Sequence, residues 1–420
     1  MFACCSGKPT QDQSAPVHDS HGITPLVPQK PAEANVGGTA GSLAQAPATV
    51  DLSILHGFER RSYLDDYILG GEILGKGAFG DVVLAQRKDA SAQRAAIKLV
   101  HFASLQNDKE VEALQKECDV LSKCQAHENI CQLFKVYQTS SELAMVMELI
   151  PGGDLFDGIV NAPHECLNEA FAATVLERTC RALEYLHEEM DVAHRDIKPE
   201  NIMLVGQGGV ENQDLEGPVC KLADFGFATF CACGPGDLPG STLYTMCGSP
   251  EYVAPECLLD RKYGYQCDMW SLGVTAYVCL CGYPPFYETD SQNKLFREII
   301  KGEFEFPVEE WGQISPEAKK LIQCMLTVEP EERISAAQAR AHPWISANVH
   351  REIDGKMVLP RNPSNTPLPA ALKLHTRLLE FSKMAALRKF RTAGKVAILT
   401  ARMNLSKNVQ GIADSEAGPS

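Results

Sequence analysis

The stretch that decides the fold is His194-Arg195-Asp196-Ile197-Lys198-Pro199-Glu200-Asn201. It supplies a carboxylate, an ammonium group and an amide within six residues. Downstream, Asp224-Phe225-Gly226 adds a second carboxylate. Groups of these types can align and neutralise an anionic group that is being transferred, so this part of the chain is expected to hold a reaction centre.

Upstream of this stretch, a lysine and a glutamate extend the charged set. Ala95-Ala96-Ile97-Lys98 has strand character and places the Lys98 ammonium where it can meet phosphate oxygens. Glu117 lies on a predicted helix over residues 109–124 and can hold that lysine in place. A single lysine–glutamate pair on a protein surface would be weak evidence for a reaction centre. This pair is informative because it occurs within an ordered series of motifs.

A glycine-rich segment, Leu74-Gly75-Lys76-Gly77-Ala78-Phe79-Gly80-Asp81-Val82, precedes the lysine. The spacing G-x-G-x-x-G is weak evidence by itself, because two kinds of phosphate-binding loop share it. A dinucleotide-binding loop should lead into a helix, whereas residues 81–85 continue with strand character. This favours a hairpin that closes over phosphates, with a glycine-rich hairpin that binds nothing as the alternative.

The composition is that of an ordinary folded protein with unevenly placed charge. Of the 420 residues, 45% are hydrophobic and 22% charged, and the net charge is −15. Residues 351–420 hold 12 Lys and Arg against 5 Asp and Glu, so an acidic body carries a basic tail. The acidic body disfavours non-specific nucleic-acid binding, and no apolar run approaches the roughly 20 residues that cross a bilayer. We expect neither a nucleic-acid partner nor a transmembrane segment.

The sixteen cysteines predict free thiols in a reducing compartment. They scatter through apolar stretches without C-x-x-C spacing, which favours a cytoplasmic chain over a disulfide framework or a zinc site. Acylation of Cys4 and Cys5 is the route by which such a chain could also associate with membranes.

Composition and hydrophobic pattern divide the chain into four parts. Residues 1–55 are rich in small and polar residues without periodicity and are predicted to be disordered. Residues 67–150 alternate apolar segments with turns, which predicts an antiparallel sheet interrupted by the helix at 109–124. Residues 151–345 are mostly helical in pattern, and 351–420 form the basic tail. The helices expected in the third part include Asn168 to His187, Cys267 to Leu280 and Ser315 to Leu326.

In this order the motifs resemble those of eukaryotic protein kinases, over residues 67–345. Further matches are Ala254-Pro255-Glu256, Asp268-Met269-Trp270-Ser271-Leu272-Gly273 and Arg333. Segments similar to the serine/threonine branch are Lys198-Pro199-Glu200-Asn201 and Gly248-Ser249-Pro250-Glu251-Tyr252. Segments that resemble the calcium/calmodulin-dependent and calcium-dependent protein kinases are Met145-Val146-Met147-Glu148, Gly152-Gly153-Asp154-Leu155-Phe156 and Gly282-Tyr283-Pro284-Pro285-Phe286. The resemblance implies an α+β, bilobal fold: a small antiparallel β-rich N-lobe (67–150) with one regulatory helix, and a larger, mainly helical C-lobe (151–345).

The resemblance also implies a function, namely transfer of the γ-phosphoryl group of ATP to protein serine or threonine hydroxyls, with Mg²⁺ as the metal. By this resemblance Asp196 accepts the hydroxyl proton and Lys198 steadies the γ-phosphate. Lys98 holds the α/β-phosphates and Glu117 orients it, while Asn201 and Asp224 bind Mg²⁺. A nucleotide-binding scaffold with weak catalysis and a calmodulin-binding signalling module are the alternatives.

The remaining roles also come from the resemblance. The expected ATP-binding residues are Leu74, Gly75, Lys76, Gly77, Ala78, Phe79, Gly80, Val82, Ala96, Lys98, Met147, Glu148 and Ile150. Met147 would be the gatekeeper, and residues 148–150 would contact adenine through the backbone. Asp268 is expected to tie down the catalytic loop, and Arg333 to pair with Glu256.

Two features suggest control. Arg195 precedes the proposed base, which in similar kinases accompanies activation by phosphorylation, here expected at Thr245, although a plain loop threonine is the alternative. The basic tail places Leu374, Leu378, Phe381 and Ala385 on one helical face. It is therefore a candidate, at 365–410, for binding calmodulin or another calcium sensor, a membrane surface, or the acidic body itself. No EF-hand loop pattern occurs in the sequence, so direct calcium sensing is not expected.

Substrate preference is indicated by two acids. Asp154 and Glu200 resemble residues that select an arginine upstream of the phosphoacceptor, so we expect substrates with Ser or Thr near basic residues. Val278 stands where some strongly basophilic relatives have a further glutamate, so a second arginine should matter less.

Overall fold

The computed structural model describes residues 50–76, 80–124, 127–162, 165–206, 220–231, 250–259, 263–287 and 292–349, and the backbone of 351–353 and 356–358. Among these residues no helix is both long and apolar enough to span a membrane. The predictions for Cys4, Cys5, Thr245, residues 77–79 and the tail at 365–410 lie outside them.

The N-lobe is built on a five-stranded antiparallel sheet in the order β1-β2-β3-β5-β4. Its strands are β1 (Tyr67–Lys76), β2 (Asp81–Arg87), β3 (Arg94–His101), β4 (Leu133–Gln138) and β5 (Glu142–Glu148). The central strand β3 buries almost every residue between its ends, because it has strands on both edges and helix over one face. The predicted antiparallel sheet is confirmed.

One helix packs on this sheet, α1 (Asp108–Lys123). Asn107 caps it by accepting a hydrogen bond from the Glu110 N–H, and acidic residues in its first turn suit the positive end of the helix dipole. Apolar residues at helical spacing, such as Val111, Leu114 and Leu121, are buried. These residues fix α1 at the position from which Glu117 reaches the sheet.

The C-lobe is mainly helical, around a central helix that is buried on all sides. Its helices are α2 (Leu155–Asn161), α3 (Glu169–Glu184), α4 (Pro255–Leu258), α5 (Gln266–Cys281), α6 (Gln292–Lys301), α7 (Val308–Trp311), α8 (Pro316–Met325), α9 (Ala336–Arg340) and α10 (Pro343–Asn348). Every residue of α5 after Gln266 is buried, as expected for a helix that is apolar around its circumference. Asp268, at its start, is buried with it.

Short strands position the reacting loops. β6 (Val192–Ala193) pairs with β9 (Thr229–Phe230), and β7 (Ile202–Leu204) pairs with β8 (Cys220–Leu222). The stretch that contains Asp196 therefore runs from β6 to β7, and Asp224 follows β8 directly. A further hairpin joins β10 (Arg351–Ile353) to β11 (Lys356–Val358).

The predicted disorder of residues 1–55 is wrong for residues 50–55, where Leu52–Ile54 form a turn of 3₁₀ helix and Leu55 is only 1% exposed. Residues 1–49 lie outside the described residues. A short apolar stretch without periodicity can be ordered when a neighbouring helix buries it. The helix expected up to His187 ends as an α-helix at Glu184 and continues as a π-helical turn, Tyr185–Glu189.

Candidate active site

Three residues of the deciding stretch meet in one hydrogen-bonded group. Lys198 Nζ donates to Asp196 Oδ2 at 2.8 Å. Asn201 Nδ2 donates to the same oxygen at 2.9 Å and to the Asp196 carbonyl oxygen at 2.7 Å. Asp196 is only 5% exposed, so its carboxylate is fixed in one orientation by two donors. A general base needs such a fixed orientation toward the proton that it accepts.

Asp268 ties down the backbone of this stretch. Its Oδ2 accepts from the His194 N–H at 2.9 Å and its Oδ1 from the Arg195 N–H at 2.7 Å. Arg195 has φ +68°, a left-handed conformation that is unfavourable for a residue with a side chain. The two hydrogen bonds hold Arg195 in that conformation, which confirms the anchoring role predicted for Asp268.

Lys98, Glu117 and Asp224 lie together on the other side of the site. Lys98 Nζ is 2.5 Å from Glu117 Oε1 and 3.7 Å from Asp224 Oδ1. Burial alone would lower the pKa of Lys98, but the negative charges of Glu117 and Asp224 outweigh burial and raise that pKa. Lys98 is therefore an ammonium at neutral pH, as binding of phosphate oxygens requires.

Asp224 and Asn201 provide oxygen atoms of the type that Mg²⁺ prefers. Asp224 has φ +55° and a side chain 38% exposed, so its carboxylate is accessible. The Ala223 N–H donates to the Asn201 carbonyl, so Asn201 and Asp224 lie at the same end of the paired strands β7 and β8. Both side-chain hydrogen bonds of Asn201 use its amide nitrogen, so its amide oxygen is the atom suited to a metal. This donor set fits the predicted magnesium site.

The described part of the glycine-rich segment pairs with the strand that carries the lysine. Residues 74–76 end β1, and Val82 on β2 pairs with both Gly75 and Lys98. At Gly80, a Cβ would lie 1.9 Å from the Leu99 carbonyl oxygen, so only glycine fits there. The segment joins two strands, which excludes a loop that leads into a helix.

The predicted adenine-facing residues lie where β5 ends. Ala96 pairs in register with Met147, and Ile150 is half-buried just beyond the strand. The Glu148 side chain accepts from the Gln132 N–H at 2.9 Å, and its Oε1 is 3.0 Å from Lys221 Nζ. The side chain of Glu148 is thereby fixed by protein contacts, which leaves its backbone as the part suited to a ligand.

The two acids expected to select arginine lie on elements that contact each other, because α2, which Asp154 caps, packs on the turn Pro199–Asn201 that carries Glu200. Asp154 Oδ1 accepts the Asp157 N–H at 2.7 Å and caps α2. Glu200 Oε2 is buried and makes no hydrogen bond with the residues that the structure describes. Burial raises the pKa of Glu200, with the charge of Asp154 adding to the effect and that of Lys198 opposing it. A buried carboxylate oxygen of this kind suits a cationic partner.

Arg195 and Arg333 use their guanidinium groups differently. Arg195 Nε donates to the Phe227 carbonyl at 2.7 Å. Arg333 forms a buried bidentate pair with Glu256, at 2.7 and 2.9 Å, as predicted. Arg195 therefore contacts the segment that follows Asp224, whereas Arg333 joins structural elements of the C-lobe.

Sequence reasoning missed His187. Its Nε2 lies 2.9 Å from Asp268 Oδ2, and its ring stacks on Tyr265 with centroids 4.7 Å apart. The π-helical turn orients His187, and no residue spacing marks such a turn in advance. His187 thus completes the set of groups that hold Asp268.

Comparison with known proteins gives the following matches. The family model described as "Protein kinase domain" matches residues 69–345. A calcium/calmodulin-dependent protein kinase type 1 of Caenorhabditis elegans is 40% identical over 277 residues, 66% of this chain and 74% of that protein. Myosin light chain kinase A of Dictyostelium discoideum is 41% identical over 279 residues, 66% of this chain and 87% of that protein. Calcium-dependent protein kinase 17 of Arabidopsis thaliana is 36% identical over 319 residues, 76% of this chain and 55% of that protein.

Proposed function

The chain belongs to the protein kinase family and is a serine/threonine protein kinase, and we propose how its residues divide the transfer of the γ-phosphoryl group of ATP. The observation that carries the proposal is the formation of two charged groups, one around Lys98 and one around Asp196. Phosphoryl transfer through a loose transition state needs alignment and charge neutralisation more than covalent help.

Asp196 accepts the proton of the substrate hydroxyl. Lys198 holds this carboxylate at 2.8 Å and also carries a positive charge next to the transferred group. Burial would lower the pKa of Lys198, but the charges of Asp196 and Glu200 outweigh it and raise that pKa, which keeps the ammonium charged.

Lys98 binds the α/β-phosphates, and Glu117 holds the ammonium in place. Asn201 and Asp224 would hold Mg²⁺, which would neutralise phosphate charge. Val82, Ala96 and Met147 face the adenine.

Lys98→Met tests this assignment. The variant should lose at least about 100-fold in kcat/KM for phosphorylation of a serine peptide, because the phosphates lose their aligned cation. Lys301→Met, at an exposed lysine on α6, is the matched control and should keep wild-type rates. Undiminished phosphorylation by Lys98→Met would reject the role given to Lys98.

Substrates are proposed to carry an arginine upstream of the phosphoacceptor. The contact between the elements that carry Asp154 and Glu200, and the buried oxygen of Glu200, support this. Val278 is an apolar side chain and is fully buried, so this position provides no second acidic contact for a substrate. Glu200→Gln should remove the preference for arginine over alanine in a peptide library, and Glu303→Gln, at an exposed acid, should not. A wild-type protein without that preference would refute the proposal.

The basic tail is proposed to bind calmodulin, which would control access to the site. Its charge and helical apolar face support this, as does the similarity to a calcium/calmodulin-dependent kinase. The full chain should bind calmodulin in calcium and release it with chelator, and phosphorylation should rise in the complex. No calcium-dependent capture would eliminate calmodulin as the partner.

Phosphorylation of Thr245 is proposed as a second control, because a phosphate could pair with Arg195. Thr245→Ala should keep the low rate of the unphosphorylated chain under conditions that phosphorylate the parent. Equal activity of the variant and the phosphorylated parent would reject this.

A further inference from the structure

Residues 50–58, here called the strap, run across α1 before the first strand of the N-lobe. Leu52–Ile54 contact α1, and Leu55 is buried in the same core as Val111 and Leu114 of that helix. Val50, Leu52, Ile54 and Phe58 are half-buried against this core. The strap therefore packs against α1, and Leu55 belongs to the core that α1 shares with the sheet.

Two backbone hydrogen bonds fasten the strap to the helix. The Asp51 N–H donates to Asp108 Oδ1 at 2.8 Å, in the first turn of α1. The His56 N–H donates to Gln115 Oε1 at 3.0 Å, and Gln115 is only 6% exposed. Gln115 is itself oriented by Asp119, whose Oδ1 accepts from Gln115 Nε2 at 2.8 Å. The strap is thus bound along the first half of the helix, from Asp108 to Gln115.

The end of the strap is continuous with a fixed edge of the sheet. Glu59 lies beside β4: its N–H donates to the Val136 carbonyl at 3.1 Å and its carbonyl accepts from the Gln138 N–H at 2.9 Å. The Glu59 carboxylate is also 2.5 Å from Lys135 Nζ. The segment 50–59 therefore spans from α1 to the outer strand.

The strap and the site contact opposite faces of the same helix. At about 100° per residue, Gln115 and Glu117 point in directions about 200° apart. Gln115 bonds the strap, while Glu117 bonds Lys98 across the site. We propose that the strap is a positioning element that keeps α1 where Glu117 reaches Lys98. This rests on the role proposed for Glu117.

Leu55→Ala in the full chain tests the proposal. It should lower kcat at least about tenfold and raise KM for ATP, with KM for the peptide unchanged, because the phosphate-binding lysine loses its partner. Hydrogen exchange of residues 111–121 should quicken, and Leu55→Met, which conserves volume, should restore both readouts. Leu321→Ala is the matched control, since Leu321 is a fully buried leucine on α8 and its loss should leave kcat and KM for ATP unchanged.

Gln115→Met gives a second route: with little change of volume it deletes the oxygen that accepts from the His56 N–H and the nitrogen that donates to Asp119. It should change kcat, KM for ATP and α1 exchange in the same direction as Leu55→Ala. The proposal would be overturned if Leu55→Ala and Gln115→Met both kept the wild-type kcat, KM for ATP and α1 exchange. An equal loss in Leu321→Ala would also overturn it. Glu117→Gln separates this failure from that of the proposed function: normal rates in Glu117→Gln would reject the role of Glu117, whereas a loss there with none in the strap variants rejects the strap alone.

Discussion

The two sides of the site are held by different means. Around Asp196 the supporting groups are buried: Asp268 and His194 are 0% exposed, and His187 is 6% exposed. Around Lys98, whose side chain is 20% exposed, the support is two ion pairs: one with Glu117 on the helix that the strap fastens, and one with Asp224, whose side chain is 38% exposed. Buried networks are costly to break, whereas partly exposed ion pairs rearrange readily. We infer that the Asp196 side is fixed and the Lys98 side adjustable.

Asp196→Asn should give the largest effect and break the fixed side chemically. Asparagine keeps an oxygen for Lys198 but cannot accept the hydroxyl proton, so kcat should fall about 10³-fold. Steady-state kinetics measures the fall, and calorimetry should show unchanged binding of ATP with Mg²⁺. A kcat within tenfold of wild type would show that Asp196 is not the base.

Asp268→Asn breaks the same side structurally. It removes a buried charge that accepts from His194 and Arg195, so unfolding should become easier by about 3 kcal/mol. Urea unfolding measures the change, with Asp119→Asn on α1 as a control of a half-buried acid. Equal stability of the two variants would contradict a fixed catalytic loop.

Glu117→Gln probes the adjustable side and should act on rate rather than stability. Loss of the charge opposite Lys98 should lower kcat/KM for ATP about 10- to 100-fold, because the amine is less well oriented. Glu112→Gln, an exposed glutamate on the same helix, should keep wild-type kinetics. If both variants behaved alike, the ion pair would have no special part in the site.

The smallest expected effect concerns pH. Burial lowers the pKa of His194 from 6.5, although Asp268 and Asp196 oppose the shift, so the folded imidazole stays neutral. The unfolded chain takes up that proton near pH 6.5, so this contribution to stability is complete above pH 6.5 and declines below it. The decline cannot exceed about 1.4 kcal/mol per pH unit. Urea unfolding gives the free energy of unfolding at pH 7.5 and at pH 5.5. The difference between these two values should be smaller for His194→Gln than for the parent, and equal differences in the two proteins would contradict the prediction.

Much of the candidate site could be predicted from the sequence, because most of its reacting groups lie within short motifs. Asp196, Lys198 and Asn201 lie within six residues, and strand and helix patterns placed Lys98 and Glu117 on neighbouring elements. The Arg333–Glu256 pair, far apart in sequence, followed only from the resemblance to kinases. Residue types and spacing thus predict the local groups directly, whereas the Arg333–Glu256 pair could be predicted only from the resemblance.

The missed parts depend on tertiary packing. Residues 50–55 of the strap fall in the segment predicted to be disordered because it has no apolar period, yet Leu55 is buried in the same core as Val111 and Leu114 of α1. His187 was placed in an ordinary helix, and only the π-helical turn directs it to Asp268. In both cases contacts with a residue or helix distant in sequence stabilise the observed conformation. Local sequence patterns do not indicate which distant partner that is.

Hydrogen exchange of the full chain tests the contrast between the two sides most directly. Residues 111–121 of α1 should exchange faster than residues 194–202, and adding ATP with Mg²⁺ should slow exchange of residues 111–121 more than that of residues 194–202. Equal exchange of the two segments without nucleotide, or slowing confined to 194–202, would contradict this prediction.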